Sequence, residues 1–154
     1  MSFFENFYRA LIYIGDSLQS LFLLAVRLFW GYQFFETGKG KLSHISDIAH
    51  YFASLNIPWP TFSAYLAGTT ECIGGLCLIL GLASRFVSIP LMITMTTALL
   101  TADWDSVKNL FDNPSTLLSA APFTFLMAAL IIFIFGPGYF SIDRLLEKYF
   151  GYKK

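Results

Sequence analysis

Residues 64–85 read AYLAGTTECIGGLCLILGLASR, a run that is long and apolar enough to cross a bilayer and carries one carboxylate, Glu71, near its middle. A charged side chain at the centre of a membrane helix costs roughly 2.5–3.5 kcal/mol on insertion scales. Glu71 therefore requires a partner, a proton or a cavity. Gly68, Cys72 and Gly75 lie at helical spacing beside it, so the face that holds the acid also lets another helix approach closely.

The composition is that of a membrane protein. Of the 154 residues, 56% are hydrophobic, 18% are aromatic and 13% are charged, and that charged fraction is about half the usual value for a soluble domain. The formal net charge is zero, so we expect no nucleic-acid partner. The sequence contains no Cys/His cluster with the spacing of a zinc site, and it therefore predicts no metal centre.

Hydropathy predicts an all-α fold, a four-helix integral membrane bundle that forms one domain over residues 1–154. The four spans lie at about 17–35, 62–82, 86–102 and 117–135, each close to the roughly 20 residues that a bilayer requires. Short interfacial helices are expected at the N-terminus, in the first loop near residues 45–55, and at the C-terminus over residues 142–150. For the N-terminal segment, continuation of the first span at a tilt is the alternative.

The C-terminal helix has a sequence pattern of its own. Gly136, Pro137 and Gly138 end the fourth span, and Ser141 can cap the next helix. Asp143 falls in the first turn of that helix, where a negative charge suits the helix dipole.

Lysine and arginine outside the spans predict the orientation. One side carries six of them and the other carries three, which predicts that both termini lie in the cytoplasm. The six are Arg9, Arg85, Arg144, Lys148, Lys153 and Lys154, and the three are Lys39, Lys41 and Lys108.

A second charge, Arg27, lies inside the first span. Counted from the inner ends of their spans, Arg27 and Glu71 both lie roughly 15 Å deep, near the midplane of a core about 30 Å thick. Arginine keeps its proton within proteins, so Arg27 needs an acceptor. We therefore predict a buried Arg27–Glu71 pair. It either only fixes which helix faces meet, or lines a small cavity that handles a lipophilic head group or a proton.

The order and spacing of several motifs resemble the DoxX family of small bacterial four-span membrane proteins. The motifs are Arg27-xxx-Gly31-xx-Phe34-Phe35-xx-Gly38-xx-Lys41, Pro58-x-Pro60, Glu71-xx-Gly74-Gly75-xx-Leu78-xx-Gly81-xxx-Arg85 and Gly136-Pro137-Gly138-xx-Ser141-x-Asp143. The resemblance implies an inner-membrane protein linked to redox chemistry, because relatives include membrane subunits of thiosulfate:quinone oxidoreductase. Carried over by position, the family-like residues are Arg27, Gly38, Lys41, Glu71, Gly75 and Asp143.

Two hypotheses for function follow. In the first, the chain is a redox-linked membrane subunit associated with quinone or thiol/sulfur oxidation or with oxidative-stress defence. Arg27 and Glu71 are its candidate catalytic pair, and Gly31, Gly38, Lys41 and Gly75 are candidates to surround a bound quinone or lipophilic thiol carrier. The sequence contains no flavin, haem or iron–sulfur motif, so electrons would pass through a quinone or a partner redox enzyme. In the second, the chain is a non-catalytic scaffold or assembly factor that recruits soluble partners. A homo-oligomer in the bilayer is compatible with both.

Overall fold

The computed structural model describes residues 3–150, which form eight helices joined by turns. Lys153 and Lys154, which contributed to the orientation prediction, lie outside this range. The helices are α1 (Phe3–Ser43), α2 (Ile45–Ser54), α3 (Pro60–Leu80), α4 (Ser84–Thr101), α5 (Trp104–Lys108), α6 (Pro114–Ser119), α7 (Ala121–Phe135) and α8 (Ile142–Phe150). The predicted all-α class is confirmed.

Four helices form the bundle. Helix α1 packs against α3, α3 against α4, α4 against α7, and α7 returns to α1. Helices α1, α3 and α4 are long and apolar enough to span a membrane. The 41 residues of α1 extend about 60 Å, roughly twice the thickness of a bilayer core, so α1 projects beyond its neighbours.

The fourth predicted span, 117–135, is broken. The chain forms the short helix α6, becomes extended at Ala120 (φ −67°, ψ 121°), and then forms the 15-residue helix α7. Pro122 explains the break, because proline has no N–H to donate and its ring clashes with the carbonyl four residues earlier. At about 22 Å, α7 is shorter than the hydrocarbon core of a bilayer.

Two of the three predicted surface helices are present in the structure. Helices α2 and α8 lie where the sequence predicts them. The Ser141 hydroxyl accepts a hydrogen bond from the Arg144 N–H at 3.2 Å, so the predicted cap is confirmed. The N-terminal segment is not a separate helix: it is continuous with the first span, as the alternative interpretation had it.

The apolar core lies where α1, α3, α4 and α7 meet. Phe34, Leu78, Leu91 and Ile132 are wholly buried there. The ring of Phe34 packs edge-on against Phe125, with ring centroids 4.7 Å apart. This core fixes the faces that α1 and α3 present to each other, and those faces carry the charged residues of the candidate site.

Candidate functional site

Glycines bring the backbones of α1 and α3 into direct contact. A Cβ added to Gly31 would lie 3.0 Å from the Gly75 carbonyl oxygen, and one added to Gly75 would lie 2.5 Å from the Gly31 carbonyl oxygen. A Cβ on Gly38 would lie 2.8 Å from the Cα of Cys72. Small residues are what allow membrane helices to approach this closely. The quinone-binding role of Gly31, Gly38 and Gly75 stays a prediction, and the contribution that the structure shows is helix packing.

The same contacts set the register of the two helices. Gly38 packs against Cys72, the neighbour of Glu71, so Glu71 is level with Gly38 on α1. Arg27 lies eleven residues before Gly38, about 16 Å away along the helix. The predicted Arg27–Glu71 pair is therefore wrong. The depth estimate failed because it placed the inner end of the first span at Ser17, whereas α1 continues past α3 on that side.

Glu71 pairs with Lys41 instead. The Nζ atom of Lys41, near the end of α1, donates hydrogen bonds to both carboxylate oxygens of Glu71, with 2.5 Å to Oε1. The Glu71 side chain has no exposed surface, whereas the Lys41 side chain is 26% exposed. The ion pair thus joins a fully buried carboxylate near the middle of α3 to a cation that reaches the surface.

Arg27 binds backbone carbonyls. Its Nε donates to the Leu78 carbonyl at 2.9 Å and its Nη2 to the Ile79 carbonyl at 3.2 Å. Its Nη1 donates to the carbonyls of Phe140, at 2.9 Å, and Pro137. Leu78 and Ile79 belong to the last turn of α3, where carbonyls lack partners within the helix. The guanidinium, which is 1% exposed, therefore fastens α1 to the end of α3 and to the loop before α8.

Asp143 completes this junction in a way that the sequence did not predict. Its carboxylate accepts hydrogen bonds from the backbone N–H groups of Ala83, at 2.6 Å, and Ser84, at 2.9 Å, at the start of α4. Its own N–H donates to the Gly81 carbonyl at 2.9 Å. The negative charge lies in the first turn of α8, as the sequence predicts, and it also caps the start of α4. The two parts of the chain are thereby held together.

The close fit at Gly81 depends on its lack of a side chain. Gly81 adopts φ +69°, and a Cβ there would lie 2.7 Å from the guanidinium carbon of Arg27. The left-handed conformation and the nearby cation both favour glycine at this position. The spacing of Gly81 and Asp143 in the sequence gave no signal that they meet, because the contact depends on how α8 folds back.

Comparison with known proteins agrees with this architecture. The sequence model of the DoxX family matches residues 22–104, more than half of the chain. The chain belongs to the DoxX family. The matched region contains α2, α3 and α4 entire, together with the second half of α1, and it includes the Lys41–Glu71 pair. No solved structure matches the chain.

The chain is similar to several bacterial proteins, two of which are described as membrane proteins. The chain is 27% identical over 138 residues to an uncharacterized membrane protein of Mycobacterium tuberculosis, covering 82% of each chain. It is 28% identical over 137 residues to the inner membrane protein YqjF of Escherichia coli, covering 85% of this chain and 96% of that protein. It is 32% identical over 78 residues to the putative oxidoreductase CatD of Bacillus subtilis, covering 51% of this chain and 57% of CatD. This protein is therefore an integral membrane protein.

Proposed function

We propose that this protein is a redox-linked subunit of the bacterial inner membrane, with both termini in the cytoplasm, and that it holds a quinone beside Lys41 and Glu71. The observation that carries the proposal is the ion pair itself, which joins a fully buried carboxylate within a span to a half-buried cation. Ionisable groups inside membrane spans are rare and mark sites of ion, proton or substrate handling. The similarity to a putative oxidoreductase supports the redox assignment.

The chemistry assigned to the pair is proton transfer. Reduction of a quinone to a quinol takes two electrons and two protons, and the electrons come from a partner oxidoreductase. The Lys41 ammonium would donate a hydrogen bond to a quinone oxygen, and Glu71 would hold the ammonium in place. The two protons would enter through the Lys41 side chain, which reaches the surface. Arg27 has no part in this scheme because its hydrogen bonds go to four backbone carbonyls.

The test is the quinone content of the purified protein. Membranes are solubilised into polymer-bounded lipid discs, the protein is purified, and extracted quinone is counted per chain by mass spectrometry. We expect the wild type to retain quinone above the level set by the surrounding lipid, and Lys41→Met to lose that excess. Lys39→Met is the matched control, because Lys39 is an exposed lysine on the same helix.

A photoreactive quinone locates the site independently. The expected crosslinks fall on α1 and α3 near Lys41, and an excess of unlabelled quinone abolishes them. Wild-type protein with no excess quinone and no specific crosslink would refute the proposal and favour the non-catalytic scaffold. An excess that Lys39→Met lowers as much as Lys41→Met would place the quinone elsewhere.

A further inference from the structure

A groove of about 730 Å³ lies at the end of the bundle where α4 begins, α7 ends and α8 starts. This is the end opposite to α5, and it is separate from the Lys41–Glu71 pair. Its lining combines two arginines with apolar side chains around the glycine–proline–glycine turn at residues 136–138. The side chains that matter here are those of Arg85, Phe86, Phe135, Tyr139, Arg144 and Leu146.

The two arginines supply the positive charge of the groove. The Arg85 side chain is exposed, and its Nη2 donates a long hydrogen bond of 3.4 Å to the Ile134 carbonyl. Arg144 is also largely exposed and pairs with Glu147 at 3.1 Å. A guanidinium has five donors in a planar fork that matches the oxygens of a phosphate. Both arginines therefore retain donors for an anion in the groove.

The two acidic residues of the groove differ in whether they can compete with an anion for the arginines. The Asp143 carboxylate is held by the N–H groups of Ala83 and Ser84, so its charge is directed at the start of α4. Glu147 remains, and it pairs with Arg144 in an exposed ion pair of the kind that contributes little to stability. A phosphate can replace Glu147 on Arg144, which makes Glu147 a competitor for the ligand.

Apolar side chains extend the groove along the spans. Phe86 is 75% exposed at the start of α4, and Phe135 is 57% exposed at the end of α7. On the other side, the exposed Leu146 of α8 lines the groove. A soluble anion makes no favourable contact with such apolar surface. An amphiphile can place its charged head group on the arginines and its acyl chain on the apolar side chains.

We propose that this groove binds one anionic phospholipid, with the phosphate between Arg85 and Arg144 and an acyl chain along Phe86 and Phe135. Basic pockets between membrane helices at the level of the head groups are suited to such lipids. The lipid would join α8 to the ends of α4 and α7. This proposal does not depend on quinone binding.

The test compares lipids of equal chain length by native mass spectrometry of the full chain in detergent. Phosphatidylglycerol is the anionic probe and phosphatidylcholine the zwitterionic one. We expect the wild type to retain phosphatidylglycerol preferentially, and Arg85→Gln and Arg144→Gln each to weaken its binding about fivefold, the effect of removing one basic residue near a charged lipid surface. Glu147→Gln should strengthen it, because the competing carboxylate is gone.

Lys108→Gln is the matched control, since it removes one positive charge on α5 at the other end of the bundle and should leave lipid binding unchanged. Equal binding of the two lipids, or equal effects of the arginine variants and Lys108→Gln, would overturn the proposal. Displacement of the lipid by an equal concentration of glycerol 1-phosphate would also overturn it, because the ligand would then be a soluble anion. If Arg85→Gln does not fold, the other two variants provide the test: Arg144→Gln should weaken phosphatidylglycerol binding and Glu147→Gln should strengthen it. Changes in the same direction would overturn the proposal.

Discussion

The Lys41–Glu71 pair predicts an asymmetry between its two partners. Removing one partner of a buried ion pair costs about 3–5 kcal/mol, because it leaves a buried charge without compensation. The Glu71 side chain has no exposed surface, so Lys41→Met leaves its charge buried and unpaired. We therefore expect a loss of about 3 kcal/mol in the free energy of unfolding. Glu71→Gln leaves a lysine that is already 26% exposed and can turn toward the head groups, so we expect a loss of only about 1 kcal/mol.

The double variant tests the pairing directly. Lys41→Met combined with Glu71→Gln leaves no unpaired charge, so the double variant should be more stable than Lys41→Met alone, at about 1 kcal/mol below the wild type. The assay is equilibrium unfolding of the protein in mixed micelles of mild detergent and dodecyl sulfate, followed by circular dichroism.

A second double-mutant cycle, between Arg27 and Glu71, provides the control. Arg27→Met and Glu71→Gln should destabilise the protein additively within about 0.5 kcal/mol, because the two side chains have separate partners. The reasoning fails if Lys41→Met costs no more than Glu71→Gln, or if the Lys41 and Glu71 effects simply add. Strong coupling between Arg27 and Glu71 would restore the pairing that the sequence predicted.

Three further substitutions probe the packing and the junction by the same assay. Gly38→Ala places a Cβ against the Cys72 backbone and should cost about 1–3 kcal/mol, whereas Gly40→Ala, with open space around it, should cost nothing measurable. Arg27→Lys cannot reach all four carbonyls and should cost about 2–3 kcal/mol, so an unchanged stability would show that those hydrogen bonds are unimportant. Asp143→Ala removes the cap of α4 and should cost about 1–2 kcal/mol, against no loss for the exposed Asp105→Ala.

The sequence predicted the elements of the fold because their signals are local. The apolar run around Glu71 became α3, and the amphipathic pattern at 142–150 became α8. The break at Ala120 was missed because hydropathy averages over a window and gives no weight to the missing N–H of Pro122. The apolar character of α1 likewise continues on both sides of its contact with α3, so it does not mark where the span begins.

The partner of Glu71 could not be predicted because the sequence does not fix the register of α1 against α3. Arg27 and Lys41 both lie on α1, and which of them meets Glu71 depends on the register of α1 and α3. That register is set by backbone contacts at Gly31, Gly38 and Gly75, which the sequence marks as small residues without pairing them. The contact of Asp143 with α4 is still less local, since it joins residues about 60 positions apart.

The acceptors of Arg27 have a consequence for how the protein is made. Two of its four carbonyls, those of Pro137 and Phe140, lie more than a hundred residues downstream of it. The ribosome therefore delivers the arginine long before it delivers these two acceptors, and until then only the α3 carbonyls of Leu78 and Ile79 are available to it. A chain cut short before Pro137 would lack both acceptors of the Arg27 Nη1 group, so a buried donor would lose its hydrogen bonds and the first helix would be fastened only to α3.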